Sequence, residues 1–176
     1  MKNLITLSFI IFTYFIHAQD FKGLDKSPMD MIEFPSSNKI INKLARVIYS
    51  RPQLKGRAIS SLVSDGKVWR LGANESTELT LYSNMKLAET EITAGSYTLY
   101  AITSGNDITI IINKATHVWG AYSYDQNNDI ARLTVPWEED SSKTLEAFSM
   151  IFNETKSGFN IHLGWGKRRA VIPFAK

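Results

Sequence analysis

The segment FNIHLGW at positions 159–165 decides the fold class, because apolar and polar side chains alternate along it. Its odd positions, from Phe159 to Trp165, are all apolar, whereas its even positions hold asparagine, histidine and glycine. Successive side chains of a β-strand point to opposite faces, so this alternation predicts a strand with one buried face. A second stretch, ITIII at 108–112, predicts a strand that is covered on both faces.

Similar runs of β-branched and aromatic residues, separated by turn residues, continue through the chain from position 44. No stretch shows a helical period sustained for more than three turns. Short strands with hairpin-length connections predict an all-β protein, an antiparallel β-sandwich, with a closed β-barrel as the alternative. The predicted strands are 44–50, 58–63, 67–71, 78–83, 96–102, 107–113, 130–135, 145–153, 159–165 and 169–174.

The N-terminal region has the layout of a secretory signal peptide over residues 1–18. Lys2 supplies the positive charge, positions 4–16 are mostly apolar, and Ala18 is a small residue before a polar start. A short membrane anchor is the alternative, although the apolar stretch is shorter than the roughly 20 residues that span a bilayer. We therefore expect an exported protein, periplasmic or extracellular, without a membrane span after cleavage.

Residues 19–43 are predicted to form an N-terminal extension, and residues 44–176 the β-sandwich domain. Ser27 followed by Pro28 is typical of the start of a helix, so the extension is expected to contain one short helical turn. An ordered coil is the alternative for this segment.

The composition excludes several classes of function. The chain has no cysteine, so it has neither disulfides nor a thiolate nucleophile. Its formal charge is +3, and the basic residues are spread along the sequence, so a nucleic-acid partner is not predicted. Removal of 18 residues from 176 leaves 158, which suffices for one domain with its own core.

The most unusual feature is a cluster of charged and polar residues around one tryptophan. Alternate residues of a strand share a face, so in the predicted strands the arginines of this cluster would lie on faces that lean towards the core. A cation in such a position must be paired or hydrogen-bonded. Glu75 is the carboxylate nearest to them in sequence. The predicted cluster comprises Arg51, Lys55, Arg57, Trp69, Arg70, Asn74 and Glu75.

Three functions are compatible with this cluster. Arginine forks suit carboxylates and phosphates, so the cluster could bind a small polar or anionic ligand. It could instead be a buried ion-pair network in a structural or interaction protein of the bacterial envelope. The third alternative is a hydrolase with Glu75 or His117 as general base. A protein that is not an enzyme is favoured, and no catalytic residue is predicted.

Other sites have little support in the sequence. The mature chain has only two histidines, His117 and His162, so neither a metal site nor a cofactor is predicted. No nucleophile elbow or phosphate-binding loop occurs. The aromatic run WGAYSY at 119–124 could form a stacking platform, but core and edge packing is expected to explain it. The oligomeric state is left open.

Several strings together resemble a known family. They are YSRP at 49–52, KGR at 55–57, VWRLGANEST at 68–77, AGSYTL at 94–99, WGAYSY at 119–124 and DIAR at 129–132. The chain resembles domain-of-unknown-function family 2911, whose members look like exported bacterial proteins that are common in Bacteroidetes. It departs from the family pattern at Ser61 and at Ser64-Asp65, where a turn is expected to change. The resemblance implies no activity and no catalytic residue.

Overall fold

The computed structural model describes residues 20–140 and 142–176. The predicted signal peptide, residues 1–18, lies outside the described residues. Thirteen strands and two short 3-10 helices, Ile59–Ser61 and Gln126–Asn128, occur in the described chain. The strands are β1 (Met29–Phe34), β2 (Ala45–Ser50), β3 (Val68–Trp69), β4 (Thr77–Leu81), β5 (Met85–Leu87), β6 (Thr90–Ile92), β7 (Gly95–Ser104), β8 (Asp107–Asn113), β9 (Asp129–Pro136), β10 (Glu138–Glu139), β11 (Leu145–Glu154), β12 (Gly158–Gly166) and β13 (Arg168–Ala175).

Two antiparallel sheets form the sandwich. The first has the order β1-β2-β4-β7-β8-β9, and β3 pairs with β7 beyond the end of β4. The second has the order β11-β12-β13-β5-β6, and β10 pairs with β13. The prediction of an all-β sandwich is confirmed, and the closed-barrel alternative is wrong because the paired strands divide into two separate sheets. In the described chain no helix has the length and apolarity that crossing a bilayer requires.

The core lies between the facing sides of the two sheets. The predicted alternation of 159–165 is confirmed in β12, where Phe159 and Trp165 are buried. Trp165 stacks on Trp69 of the first sheet, with ring centroids 5.7 Å apart, and Phe148 packs edge-on against both rings. Burying a large apolar side chain contributes about 1.5–3 kcal/mol, so these contacts stabilise the packing of one sheet on the other.

The predicted helical turn near Ser27 is wrong. Residues Met29–Phe34 form an edge strand that pairs with β2 along its whole length. The backbone N–H of Ser27 instead donates to the Asp25 carboxylate, and Phe34 packs into the core against Phe159 at 5.1 Å. Pairing and burial outweigh the local helix-start signal, and the segment treated as an extension contributes a strand to the first sheet.

The predicted strand at 58–63 is also wrong, because a 3-10 helix lies there. Ser61 donates its hydroxyl to the Ala58 carbonyl, and the N–H of Val63 bonds to the Ile59 carbonyl, so local bonds replace a strand ladder. Strands β5, β6 and β10 were not predicted. They have two or three residues each, which is too short for alternation to be recognised.

Candidate functional site

The part of the first sheet's outer face that lies over β7 and β8 is covered by the connection from β8 to β9, residues 114–128, which we call the covering loop. Its Tyr124 packs edge-on against Tyr100 of β7, with centroids 5.2 Å apart, and donates its hydroxyl to Asp129 at 2.7 Å. Asn113 donates to Asp129 at 2.7 Å and to the Asp125 carbonyl at 3.0 Å. These bonds hold the loop against the sheet, and the isoleucines of β8 are buried as predicted.

Arg132 completes the network beneath the covering loop. Its Nε donates to Asp129 at 2.8 Å, and its second terminal nitrogen donates to the hydroxyl of Tyr124. Burial, reinforced by the hydrogen bond to Asp129, raises the pKa of Tyr124 to about 12. The hydrogen bond to Asp129 also raises the pKa of Arg132. Each charge of this group is paired, so the network positions the loop.

The tip of the covering loop pairs with the segment that precedes β4. Glu75 and Trp119 form an antiparallel bridge, and the Gly120 N–H donates to the Asn74 carbonyl at 3.1 Å. Gly120 has a φ of +66°, and a Cβ there would lie 2.8 Å from the ring of Tyr122. Glycine is therefore needed at this turn. Residues in and around the paired segments line two separate cavities.

The first cavity is built around Arg70, which follows β3 directly. Trp69 points into the core, so Arg70 points the other way, towards the covering loop. Its guanidinium carbon lies 5.8 Å from the centroid of the Tyr122 ring, and one terminal nitrogen donates to the Asn74 carbonyl at 3.0 Å. No carboxylate of residues 20–140 or 142–176 forms an ion pair with Arg70 within 4.0 Å.

This cavity has a volume of about 270 Å³ and a basic lining. Arg70 and Lys67 supply the charged groups, and Trp69 and Tyr122 supply aromatic surface. No acidic residue of the described chain lines the cavity. The side chain of Tyr122 is 83% exposed. A guanidinium has five N–H donors, and one of the five donors of Arg70 is engaged, so the remainder can bind an anion.

Arg51 leans towards the second sheet, as the strand parity predicted, but its partner is Asp30 and not Glu75. Its terminal nitrogens donate to the Asp30 carboxylate at 3.0 Å and to the Ser149 hydroxyl at 2.7 Å. Its Nε donates to the Phe148 carbonyl at 3.0 Å. The side chain therefore joins β1, the end of β2 and β11, and all its nitrogens have partners.

Arg57 and Lys55 lie in the loop after β2, away from Arg70. Arg57 is exposed and donates to the Leu54 carbonyl and the Gln53 carbonyl of its own loop, both at 2.9 Å. The backbone N–H of Lys55 bonds to the Glu146 carboxylate. The strand face proposed for Arg57 does not exist, because the segment that follows it forms a 3-10 helix.

The side chains of Trp69 and Asn74 are both engaged in contacts within the protein. Trp69 is buried, and its indole N–H donates to the Gly72 carbonyl at 3.0 Å. Asn74 has a left-handed φ of +57°, and its side-chain amide donates to Asp25 at 3.0 Å. The hydrogen bond from the Ser27 N–H, followed by the one from Asn74, lowers the pKa of Asp25. Of the predicted cluster, the structure brings together Trp69, Arg70 and the backbone of Asn74.

Glu75 belongs to the second cavity, which has a volume of about 150 Å³. The expected pairing of Glu75 with an arginine is not formed, since no cation of the described chain lies within 4.0 Å of its carboxylate. Glu78 and His117 line the same cavity, and the His117 Nδ1 lies 3.9 Å from a Glu78 oxygen. Among the described residues, no group of three or more histidine or acidic side chains is placed to hold a metal ion.

The sequence reasoning missed residues at both cavities. Lys67 and Glu78 lie in ordinary strand-like stretches, and nothing in their local pattern marks them. Packing was expected for the aromatic run 119–124; that holds for Tyr124, but Trp119 is 57% exposed and Tyr122 is more exposed still. The aromatic run 119–124 was thus a signal in the sequence that could have located the first cavity.

Comparison with known proteins identifies the family but not an activity. No curated protein and no solved structure matches the chain. One family matches residues 27–174, and its description is "Protein of unknown function (DUF2911)". The match runs from two residues before β1 to Phe174, the penultimate residue of β13. The chain therefore belongs to the DUF2911 family.

Proposed function

We propose that this protein is an exported binding module, periplasmic or extracellular, that holds a small anionic ligand in the cavity between Arg70 and Tyr122. The apolar stretch after Lys2 supports export. The basic lining of the cavity favours a carboxylate or a phosphate as the recognised group. The proposal keeps the Trp69 and Arg70 part of the predicted cluster and adds Lys67 and Tyr122.

The observation that carries the proposal is the half-buried guanidinium of Arg70 without a carboxylate partner. A cation taken partly out of water normally acquires an ion pair or a full set of hydrogen bonds. Arg51 has both, whereas Arg70 has one bond to a carbonyl in the described chain. Its cation–π contact with Tyr122, at 5.8 Å from the ring centroid, and its bond to the Asn74 carbonyl restrict the guanidinium, which reduces the entropy lost when an anion binds.

A thermal-shift titration with phosphate, citrate and glucuronate tests the proposal. A ligand that binds the folded state raises its stability by about 2.7 kcal/mol at a hundredfold excess over Kd. For a domain of this size we expect the unfolding midpoint to rise by about 5–10 °C with the recognised anion. Arg70→Ala should abolish this rise and should lower the unliganded midpoint by only about 2–4 °C, because one carbonyl bond is lost.

Arg57→Ala is the matched control, since it removes the same charge from an exposed loop outside the cavity. It should keep the full response to the anion. The proposal is wrong if none of the three anions stabilises the wild type, or if Arg70→Ala responds as the wild type does.

The two other functions remain predictions with different tests. If the protein is instead an envelope protein in which the cluster is a buried ion-pair network, Arg70→Ala would lower the free energy of unfolding by about 3–5 kcal/mol, because its buried partner would be left unpaired. Arg70 lacks an acidic partner in the described chain, which favours binding over that network. The hydrolase alternative predicts turnover that disappears in Glu75→Gln; Glu75 and His117 do line one cavity, which is the observation in its favour.

A further inference from the structure

We infer that the second cavity is a binding site for a primary ammonium group carried on a short aliphatic chain. The cavity lies on the outer face of the first sheet, and its lining shares no residue of the described chain with the cavity of Arg70. Its floor is made by adjacent strands: Ile48 of β2 pairs with Glu78 of β4, and Glu78 pairs with Thr98 of β7. Glu75 and His117 stand at its wall.

Glu78 carries an uncompensated charge at the floor of this cavity. Its side chain is 22% exposed, and its carboxylate makes no hydrogen bond to the described residues. The nearest basic group is the imidazole of His117 at 3.9 Å, beyond hydrogen-bonding distance. A carboxylate that is mostly removed from water and lacks donors costs free energy, which a bound cation would recover.

Ser50 gives an independent indication of a ligand. It is the last residue of β2, is 2% exposed, and has the parity of Ile48, so its side chain faces the cavity and not the core. Its hydroxyl has no hydrogen-bond partner in the part of the chain that the structure describes. Thr98 beside it is, in contrast, satisfied by the Ala115 carbonyl at 2.6 Å. The Ser50 oxygen is not among the fully buried unpaired atoms of the described chain, so it reaches the cavity, where a ligand donor can bond to it.

The lining selects the ligand by charge, shape and size. Two carboxylates line the cavity, and among residues 20–140 and 142–176 no lysine or arginine does, so anions are repelled. An ammonium group has three donors, which match the Glu78 carboxylate, the Ser50 hydroxyl and the Glu75 carboxylate. Met29, Ile48 and Val118 supply apolar surface for an attached alkyl chain. A volume of about 150 Å³ corresponds to one ligand of roughly the size of benzene.

Titration calorimetry with n-butylammonium tests this inference, with 1-butanol as a neutral ligand of similar shape. We expect saturable binding of butylammonium and at least about tenfold weaker binding of butanol, because a charge-assisted hydrogen bond is lost. Glu78→Gln should weaken butylammonium binding at least about tenfold, and Ser50→Ala should weaken it several-fold. Glu154→Gln, an exposed acidic residue of β11 outside the cavity, should bind as the wild type does.

Glu78→Gln keeps the shape of the side chain and has no hydrogen bond to lose, so its unfolding midpoint should equal or exceed that of the wild type. If Glu78→Gln fails to fold, the butylammonium affinity of Ser50→Ala decides whether the inference holds. Equal affinity for butanol and butylammonium, unchanged binding in both variants, or no saturation at millimolar butylammonium would each overturn the inference.

Two further binding measurements complete the test. The first distinguishes the possible sources of the ammonium group, and the second shows whether the two cavities bind independently. Tighter binding of Nα-acetyl-lysine amide than of butylammonium would identify a protein side chain as the ligand, and weaker binding would identify a free amine. Arg70→Ala should leave butylammonium binding unchanged, because Arg70 lines the other cavity. The ammonium site and the anion site can therefore fail independently.

Discussion

Replacement of Arg51 by alanine tests how one side chain holds the edges of the two sheets together. The guanidinium donates to the Phe148 carbonyl, the Ser149 hydroxyl and the Asp30 carboxylate. The first two bonds contribute about 1 kcal/mol each. The pair with Asp30 contributes at most about 1 kcal/mol, because the two side chains are 34% and 39% exposed and water screens them. Arg51→Ala should therefore lower the free energy of unfolding by about 2–3 kcal/mol.

Urea denaturation followed by tryptophan fluorescence measures this loss, since the stacked pair of Trp69 and Trp165 lies in the core. The slope of the transition should stay unchanged, because the surface exposed on unfolding is the same. Arg57→Ala is the matched control: its hydrogen bonds stay within one exposed loop, so the loss should be below about 0.5–1 kcal/mol. A double-mutant cycle with Asp30→Asn should give a coupling of at most about 1 kcal/mol.

A loss below about 0.5 kcal/mol in Arg51→Ala, or one equal to that of Arg57→Ala, would refute the reasoning. The three hydrogen bonds would then be replaced by water at no cost, and Arg51 would be available for a ligand. A loss above about 4 kcal/mol would also contradict it, since that magnitude indicates a fully buried charge network.

Two other predictions concern pH and close packing. The pKa of Tyr124 is raised to about 12, against about 10 in an unfolded chain. The stability that Tyr124 contributes is therefore fully present below about pH 10 and is lost as pH rises through about 12. The stability difference between wild type and Tyr124→Phe, measured by urea denaturation, should shrink over that range; a constant difference would contradict the assignment. Gly158→Ala should cost about 1–3 kcal/mol, because its Cβ would lie 2.3 Å from the Phe174 carbonyl oxygen. At Gly164→Ala the close contact is with the flexible end of Leu145, and the side chain of Arg169 lies at ordinary contact distance, so this substitution should cost less; equal losses in denaturant titrations would refute this.

The all-β class and the buried face of β12 were predictable because strand alternation is a local property of the backbone. Phe159 and Trp165 have the same parity in the sequence and the same burial in the fold. Local signals failed where long-range pairing decided the outcome. Met29–Phe34 looked like a helix start but pairs with β2, and 58–63 looked like a strand but has no partner strand.

By itself, the sequence determined which residues alternate and which segments turn, and it predicted a cluster of cations around Trp69 of which the structure keeps only Arg70. Only the tertiary structure decided their surroundings: Asp30 beside Arg51, the ring of Tyr122 beside Arg70, and the second cavity for Glu75. The physical reason is that parity depends on neighbouring residues, whereas charge pairing depends on strand register and loop placement, which bring together residues far apart in the chain.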